Sequence, residues 1–251
     1  MSPGRWCHEH TRVARTLAIL LVPGYWLGAW ARDAVIAQLT ERGYRAEALT
    51  LPGLEAESTT RASVRFSDHV KCVARRVNAL GGRVVLVTHS GAGAIATAVA
   101  DQMPDALARV VYVDSGPVAA GTVPRPDLTP ADTELPFPGF DALAAQGASS
   151  EGLSDLDKAQ MEARAVAHPA GACREPIVLH NPRRNAVPTT LVCCSIPGNA
   201  VQEMAASGFP MFAALGDVSD LTLIDLPTGH WPMFSRPDDL ADLIATQSSR
   251  A

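Results

Sequence analysis

Three side chains that together can carry out nucleophilic catalysis each follow a short apolar run of the chain. They are Ser90, Asp114 and His230, in that order. A serine hydroxyl is a weak nucleophile, so a neutral imidazole must remove its proton as it attacks. A carboxylate must in turn fix the imidazole tautomer and stabilise the imidazolium that forms. These residue types, placed after predicted strands, therefore predict acyl transfer through a serine nucleophile.

Ser90 stands at a turn between a predicted strand and a predicted helix. Residues 84–88 form a β-branched and aliphatic run typical of a buried parallel strand, and small residues predict a helix over about 91–103. Such a turn lifts the hydroxyl above the sheet edge and places the next amide at a helix N-terminus, where negative charge is favoured. An ordinary strand-to-helix turn has the same local pattern, so this window alone fits a structural serine equally well.

The loop after the first predicted strand can complete such a site. Gly24 permits a tight turn that aims the following amide inward, so we predict the Tyr25 and Gly91 amides as oxyanion-hole donors. Large apolar side chains near these loops could line a substrate pocket, although side chains of this type also fill cores. The predicted pocket residues are Trp26, Trp30, Trp231, Met233 and Phe234.

Strands and helices alternate along most of the chain, which predicts a parallel sheet with helices on both faces. The predicted strands are 17–22, 44–49, 84–88, 110–113, 189–195 and 221–225, and the predicted helices are 31–42, 66–80, 91–103, 201–215 and 237–247. Residues 117–188 interrupt this pattern with one helical stretch, 152–168, and no convincing strand. We expect a single domain, a three-layer α/β/α sandwich with about six mostly parallel strands. Its core would be residues 16–116 and 189–251, with 117–188 inserted as a short cap.

Composition restricts the class of protein further. The chain has 251 residues, of which 47% are hydrophobic and 19% charged, as in a globular protein with a sizeable core. A net charge of −5 gives no basic surface for nucleic acid or anionic lipid. The five cysteines include no CxxC pair, and the chain has no phosphate-binding or dinucleotide-binding glycine motif, so neither metal nor other cofactor is expected.

The apolar run at 17–22 is too short to span a membrane and lacks a signal-peptide cleavage site. We therefore expect a cytoplasmic protein whose partner is a small acyl substrate, without nucleic-acid or membrane partners. The sequence contains no signal for the oligomeric state.

Four stretches resemble the α/β-hydrolase superfamily, and most closely its small, single-domain, esterase-like branch. They are Leu21-Val22-Pro23-Gly24-Tyr25-Trp26 with the later Trp30, Leu49-Thr50-Leu51-Pro52-Gly53, Thr88-His89-Ser90-Gly91-Ala92-Gly93, and Gly229-His230-Trp231-Pro232. The resemblance implies a six-stranded parallel core and the chain order Ser, Asp, His for the catalytic triad. It also implies that Ser90 is the nucleophile and His230 the residue that takes its proton. The amides of Tyr25 and Gly91 would be the oxyanion-hole donors.

The chain departs from the family pattern in two places. The turn that carries the catalytic serine, the nucleophile elbow, is usually G-x-S-x-G in this family, and here Thr88 and Ala92 take the glycine positions. Many relatives carry the triad acid after the penultimate strand, where this chain has an asparagine. Others carry it after the strand that follows the elbow, where Asp114 stands, and we favour Asp114. The alternatives that stay open are Asn199, Glu203 and Asp217.

These features favour a serine hydrolase that cleaves a carboxylic ester, lactone or thioester through an acyl-enzyme. Ser90 would be the nucleophile, His230 the general base and acid, and Asp114 the orienting acid. A second hypothesis keeps the same scaffold for a lyase, cyclase or acyl transferase, and a third is a ligand-binding protein with a vestigial triad. The substrate depends on the predicted cap, and the sequence does not identify it beyond an acyl group.

Overall fold

A computed structural model describes residues 17–58 and 61–251, and a parallel sheet of six strands forms its centre. The strands are β1 Ala18–Val22, β2 Arg45–Ala48, β3 Val84–His89, β4 Leu107–Val113, β5 Glu134–Leu135, β6 His168–Pro169, β7 Thr189–Cys193 and β8 Leu221–Asp225. The six-stranded sheet has the order β2-β1-β3-β4-β7-β8, and all five pairings are parallel. β5 and β6 form a separate antiparallel pair.

Helices cover both faces of the sheet. They are α1 Asp33–Glu41, α2 Phe66–Leu80, α3 Gly93–Gln102, α4 Phe140–Ala145, α5 Asp155–Arg164, α6 Gly198–Ala206, α7 Pro232–Ser235 and α8 Pro237–Ser249. Alternate residues of each central strand face opposite layers: Leu20 and Leu86 pack with α2, α3 and α6. Ile19 and Val85 pack with α1 and α8. This arrangement confirms the predicted three-layer α/β/α fold with a six-stranded sheet.

The local sequence explains why these elements form. Every residue of β1, β3 and β4 is buried, because a parallel sheet covered on both faces requires continuous apolar strands. In α2 the buried positions Val70, Val73, Val77 and Leu80 recur every three or four residues, as the predicted amphipathic helix requires. The helix ends where Gly81 adopts a positive φ of 71°.

The segment between β4 and β7, residues 117–188, is bonded to loops at the carboxyl ends of the strands. The Trp26 indole donates to the carbonyl of Leu135 at 2.9 Å, and the Val166 amide donates to the Trp26 carbonyl at 2.9 Å. The His230 amide donates to the Ser149 carbonyl at 2.7 Å. The segment contains α4 and the strand pair β5–β6, which the sequence did not predict, and its predicted helix 152–168 is shorter, as α5.

One predicted helix is interrupted. The pattern over 201–215 predicted a continuous helix, but α6 ends at Ala206, and residues 213–217 form a separate 3₁₀ turn. Gly208 lies just beyond α6 with a φ of 75°, a left-handed conformation that ends a right-handed helix. Within the described residues, no helix has the length and apolarity needed to cross a membrane.

Candidate active site

The turn after β3 holds Ser90 in a strained backbone conformation. β3 ends at His89, and Ser90 begins a 3₁₀ turn that leads directly into α3. Its φ of 52° lies in the left-handed region, which is unfavourable for a residue with a side chain. Conformations of this kind cost roughly 1–3 kcal/mol and occur most often at functional sites. The local geometry is therefore that of a nucleophile elbow with the serine at its apex.

Ser90, His230 and Asp114 form a continuous hydrogen-bonded chain. The Ser90 Oγ lies 2.8 Å from His230 Nε2, and His230 Nδ1 lies 2.5 Å from Asp114 Oδ2. The side chains of His230 and Asp114 are largely shielded from water, with 18% exposure for the histidine and 7% for the aspartate. With Nδ1–H donating to the carboxylate, Nε2 is free to accept the serine proton. The three other candidates for the acid, Asn199, Glu203 and Asp217, are exposed on the surface.

Asp114 is held rigidly by the loop that follows β7. Its Oδ1 accepts hydrogen bonds from the amides of Cys194, at 3.1 Å, and Ser195, at 2.9 Å, and its Oδ2 accepts from the Ser195 hydroxyl at 2.6 Å. Burial alone would raise the pKa of the Asp114 carboxyl, but the hydrogen bond and charge of His230 and the Ser195 bonds lower the pKa below its ordinary value. The carboxylate is thus kept ionised beside the imidazole.

The loop after β1 lies directly against the elbow. A Cβ added to Gly24 would lie 3.0 Å from Ser90 Cβ, and a Cβ added to Gly91 would overlap the Tyr25 ring. Both glycines are therefore required by the close approach of these two segments. The amides of Tyr25 and Gly91 lie on the two segments that meet at Ser90. Both predicted oxyanion-hole donors therefore lie on segments that border Ser90.

A cavity of about 650 Å³ borders Ser90 and His230. It lies on the side of the sheet covered by α3 and α6, and most of its wall is apolar. Six of the lining side chains are Val118, Val123, Leu191, Ile196, Val201 and Phe212. Pockets of this size and character accept small organic molecules, with a few polar groups fixing the orientation of the ligand.

The model of the alpha/beta hydrolase family matches residues 19–243 of this sequence. The chain belongs to the alpha/beta hydrolase family. A probable hydrolase named R7 from Phoma sp. is 27% identical to it over 240 residues, which cover 90% of this chain and 96% of that relative. Membership confirms the predicted resemblance to the α/β-hydrolase superfamily.

Solved structures of other alpha/beta hydrolases have the same fold. A pyrethroid hydrolase from Sphingobium faniae superposes with a TM-score of 0.68 at 22% identity, over 93% of this chain and 97% of that one. The methylesterase MES16 from Arabidopsis superposes with a TM-score of 0.72 at 17% identity, over 94% of this chain and all of that one. The similarity therefore extends over nearly the whole of each chain.

The five residues predicted to line the pocket of this alpha/beta hydrolase lie away from the cavity beside Ser90. None of Trp26, Trp30, Trp231, Met233 and Phe234 lines the 650 Å³ cavity. All five pack on the opposite side of the sheet, in the layer formed with α1 and α8. Trp26, Trp231 and Met233 are buried there as core, and Trp30 and Phe234 pack against them while partly exposed. Of the aromatic residues in the loop after β1, Tyr25 lines the cavity instead.

His89 secures the loop that carries His230. Its Nε2 donates to the backbone carbonyl of His230 at 2.7 Å, and the two imidazole rings lie 4.8 Å apart. Burial, followed by the charges of His230 and Arg32, lowers the pKa of His89 well below its ordinary value. His89 is thus a neutral hydrogen-bond donor beside the residue that would become positively charged in catalysis.

The described residues hold no group of three or more His, Cys, Asp or Glu side chains arranged to bind a metal ion. The polar groups that converge on the cavity are those of Ser90, His230 and the neighbouring loops.

Proposed function

We propose that this protein is a serine hydrolase that cleaves a carboxylic ester, lactone or thioester through an acyl-enzyme. The observation that carries this proposal is the chain of hydrogen bonds from Ser90 through His230 to Asp114, located at an apolar cavity. A serine with a strained backbone, an imidazole at 2.8 Å and a buried carboxylate together form an activated nucleophile. A structural turn serine needs none of these features.

In the proposed reaction, Ser90 Oγ attacks the substrate carbonyl carbon while His230 Nε2 takes the hydroxyl proton. The carbonyl oxygen becomes an oxyanion, which the amides of Tyr25 and Gly91 stabilise. The tetrahedral intermediate then collapses, the bond to the leaving group breaks, and His230 returns its proton to that group. A water molecule repeats the sequence on the acyl-enzyme and releases the acid. Asp114 balances the charge of the imidazolium in both halves.

The relatives support a carboxylic ester as the substrate class. One is a probable hydrolase, one a pyrethroid hydrolase and one a methylesterase, by their names. The cavity also favours an uncharged substrate, because its wall is mostly apolar and Asp114 is already paired with His230. A charged substrate would lose its hydration in such a cavity without gaining a partner.

The proposal is tested by labelling and by following the oxygen of water. We expect a fluorophosphonate to form one adduct, on Ser90, in the folded protein. With an ester substrate in ¹⁸O-water, we expect one labelled oxygen in the acid product. If Ser90 carries no adduct, its assignment as the nucleophile is wrong. If the acid product contains no labelled oxygen, the protein is a lyase, cyclase or transferase instead.

We expect loss of the His89 side chain to impair catalysis more than binding. In His89→Leu the carbonyl of His230 loses its donor, and a displacement of about 1 Å in a catalytic group can cost about a hundredfold in rate. The expected result is a kcat lower by about tenfold to a hundredfold with KM little changed. His89→Gln, which can place an N–H near the same position, should recover most of the kcat. Equal losses in both variants would contradict this role.

A further inference from the structure

A second cavity, of about 230 Å³, lies on the same side of the sheet as the catalytic one. It is lined by α3, β4, the start of β7 and the loop that follows β4. The mechanism proposed above makes no use of it. Its volume is several times the roughly 30 Å³ that one water molecule occupies in the liquid, so it has room for part of an organic ligand.

The two cavities follow one another along the same elements. On α3, Ala94 lines the catalytic cavity and Ala100 lines the second one, six residues and therefore about 9 Å further from the elbow. On β7, Leu191 lines the first cavity and Thr189 the second, about 7 Å further from the strand's carboxyl end. The second cavity therefore extends along α3 and β7 on the side away from Ser90, where residues in 184–187 and 214–218 complete its wall.

Val118 lies between the two cavities and lines both of them. Its amide donates to Thr97 Oγ1 at 3.3 Å, which attaches this part of the loop to α3. The Thr97 hydroxyl also donates to the carbonyl of Gly93 at 3.0 Å and lies 3.2 Å from the Tyr112 hydroxyl. This hydrogen bond holds the Val118 backbone in place. A substitution can therefore remove the Val118 side chain from between the two cavities without moving the loop.

The second cavity suits an uncharged chain. Part of its wall is apolar, formed by Ala100, Val110 and Val187, and hydroxyl side chains such as that of Thr189 form another part. Two charged side chains also line it: Arg184 is already paired with Asp101 at 3.2 Å, and the Asp217 carboxylate would repel an anionic substrate. Burying methyl and methylene groups against this wall is favourable, whereas a carboxylate would have to compete with Asp101 for the guanidinium.

We propose that Val118 determines specificity by limiting the length of the ester chains that the protein accepts. The chain concerned is the longer of the acyl and alkoxy chains of an uncharged ester, here called its longer arm. The Val118 side chain closes the passage from the catalytic cavity to the second one, so arms that fill the catalytic cavity stop at Val118. This inference rests on the proposed hydrolase function. Removing the two γ-methyl groups of Val118 joins the cavities and admits a longer arm.

The test is the chain-length profile of ester hydrolysis. Val118→Ala and the wild type are compared on p-nitrophenyl esters with acyl chains of increasing length, and on alkyl acetates of increasing length. In one of the two series we expect the ratio of kcat/KM for long to short esters to rise in Val118→Ala. The rise should be about fourfold for each methylene that enters the second cavity. Val118→Phe should lower the same ratio.

Two further variants test whether the gain comes from opening the connection between the two cavities. Val123→Ala enlarges the catalytic cavity alone, since Val123 lines that cavity and not the second one. It should leave the long-to-short ratio close to that of the wild type. The double variant Val118→Ala with Ala100→Leu fills the second cavity and should lose the gain. An unchanged ratio in Val118→Ala, or an equal gain in Val123→Ala or in the double variant, overturns the inference.

Failure of the proposed function gives a different result from failure of this inference. If the wild type neither reacts with a fluorophosphonate nor hydrolyses any ester, the hydrolase proposal fails. The length limit is then measured by the rise in melting temperature with uncharged 2-alkanones of increasing length. Val118→Ala must show an additional rise for long ketones and not for short ones. The absence of that difference overturns the role of Val118 on its own.

Discussion

Replacing Ser90 with alanine is expected to lower kcat for ester hydrolysis by about a millionfold, to the level that substrate binding and the proposed oxyanion donors provide alone. The variant cannot form the acyl-enzyme, because the oxygen 2.8 Å from His230 Nε2 is absent. Alanine also fits the elbow without new contacts, so the fold and the cavity should be retained. Steady-state hydrolysis and the disappearance of the fluorophosphonate adduct measure the effect.

Ser115 provides a matched control for this experiment. Its hydroxyl donates to the backbone carbonyl of Ser90 at 2.6 Å and also lines the catalytic cavity, but it makes no contact with His230 of the kind that Ser90 makes. We expect Ser115→Ala to lose about tenfold or less in kcat, by loosening the elbow. Comparable losses in Ser90→Ala and Ser115→Ala would show that the elbow needs hydroxyl groups for its structure and not a nucleophile.

The elbow itself could be predicted from sequence because its parts are local. An apolar run, a serine and a small-residue helix are sufficient to predict strand, turn and helix. Thr88 and Ala92, which stand at the usual glycine positions, are both buried, and the closest approaches of the elbow occur at two other positions. A Cβ at Gly91 would overlap the Tyr25 ring, and one at Gly93 would overlap the Ser115 hydroxyl. The glycines that this elbow needs are therefore those at 91 and 93.

Features that depend on strand order could not be predicted in the same way. Ser195 donates to Asp114 because β7 lies beside β4 in the sheet, and that adjacency is not visible in the periodicity of either strand. The predicted strand 189–195 even included this serine. The face of the sheet on which the cavity opens is equally non-local. The sequence therefore predicted the ends of β1 and β8, but it could not show that the aromatic side chains after them pack on the face opposite the cavity.

Asp114→Asn is expected to lower kcat by about ten thousandfold while preserving the geometry of the site. The amide is similar in size to the carboxylate, but it neither stabilises the imidazolium nor favours the tautomer with a proton on Nδ1 of His230. Glu203→Gln makes the matching change at an exposed residue of α6 that was an alternative for the acid, and it should not alter kcat. Equal effects of the two substitutions would contradict Asp114 as the orienting acid.

The same substitution predicts a pH dependence of stability. Interactions with His230 and Ser195 lower the pKa of Asp114 in the folded protein below its ordinary value, despite the opposing effect of burial. A carboxylate of this kind stabilises the fold above its unfolded pKa of about 3.9, and the contribution is lost as the pH falls through the lower folded value. The free energy of unfolding of the wild type should therefore exceed that of Asp114→Asn at neutral pH. That difference should decrease below about pH 4 in denaturant titrations, whereas a constant difference would mean that the charge of Asp114 does not stabilise the fold.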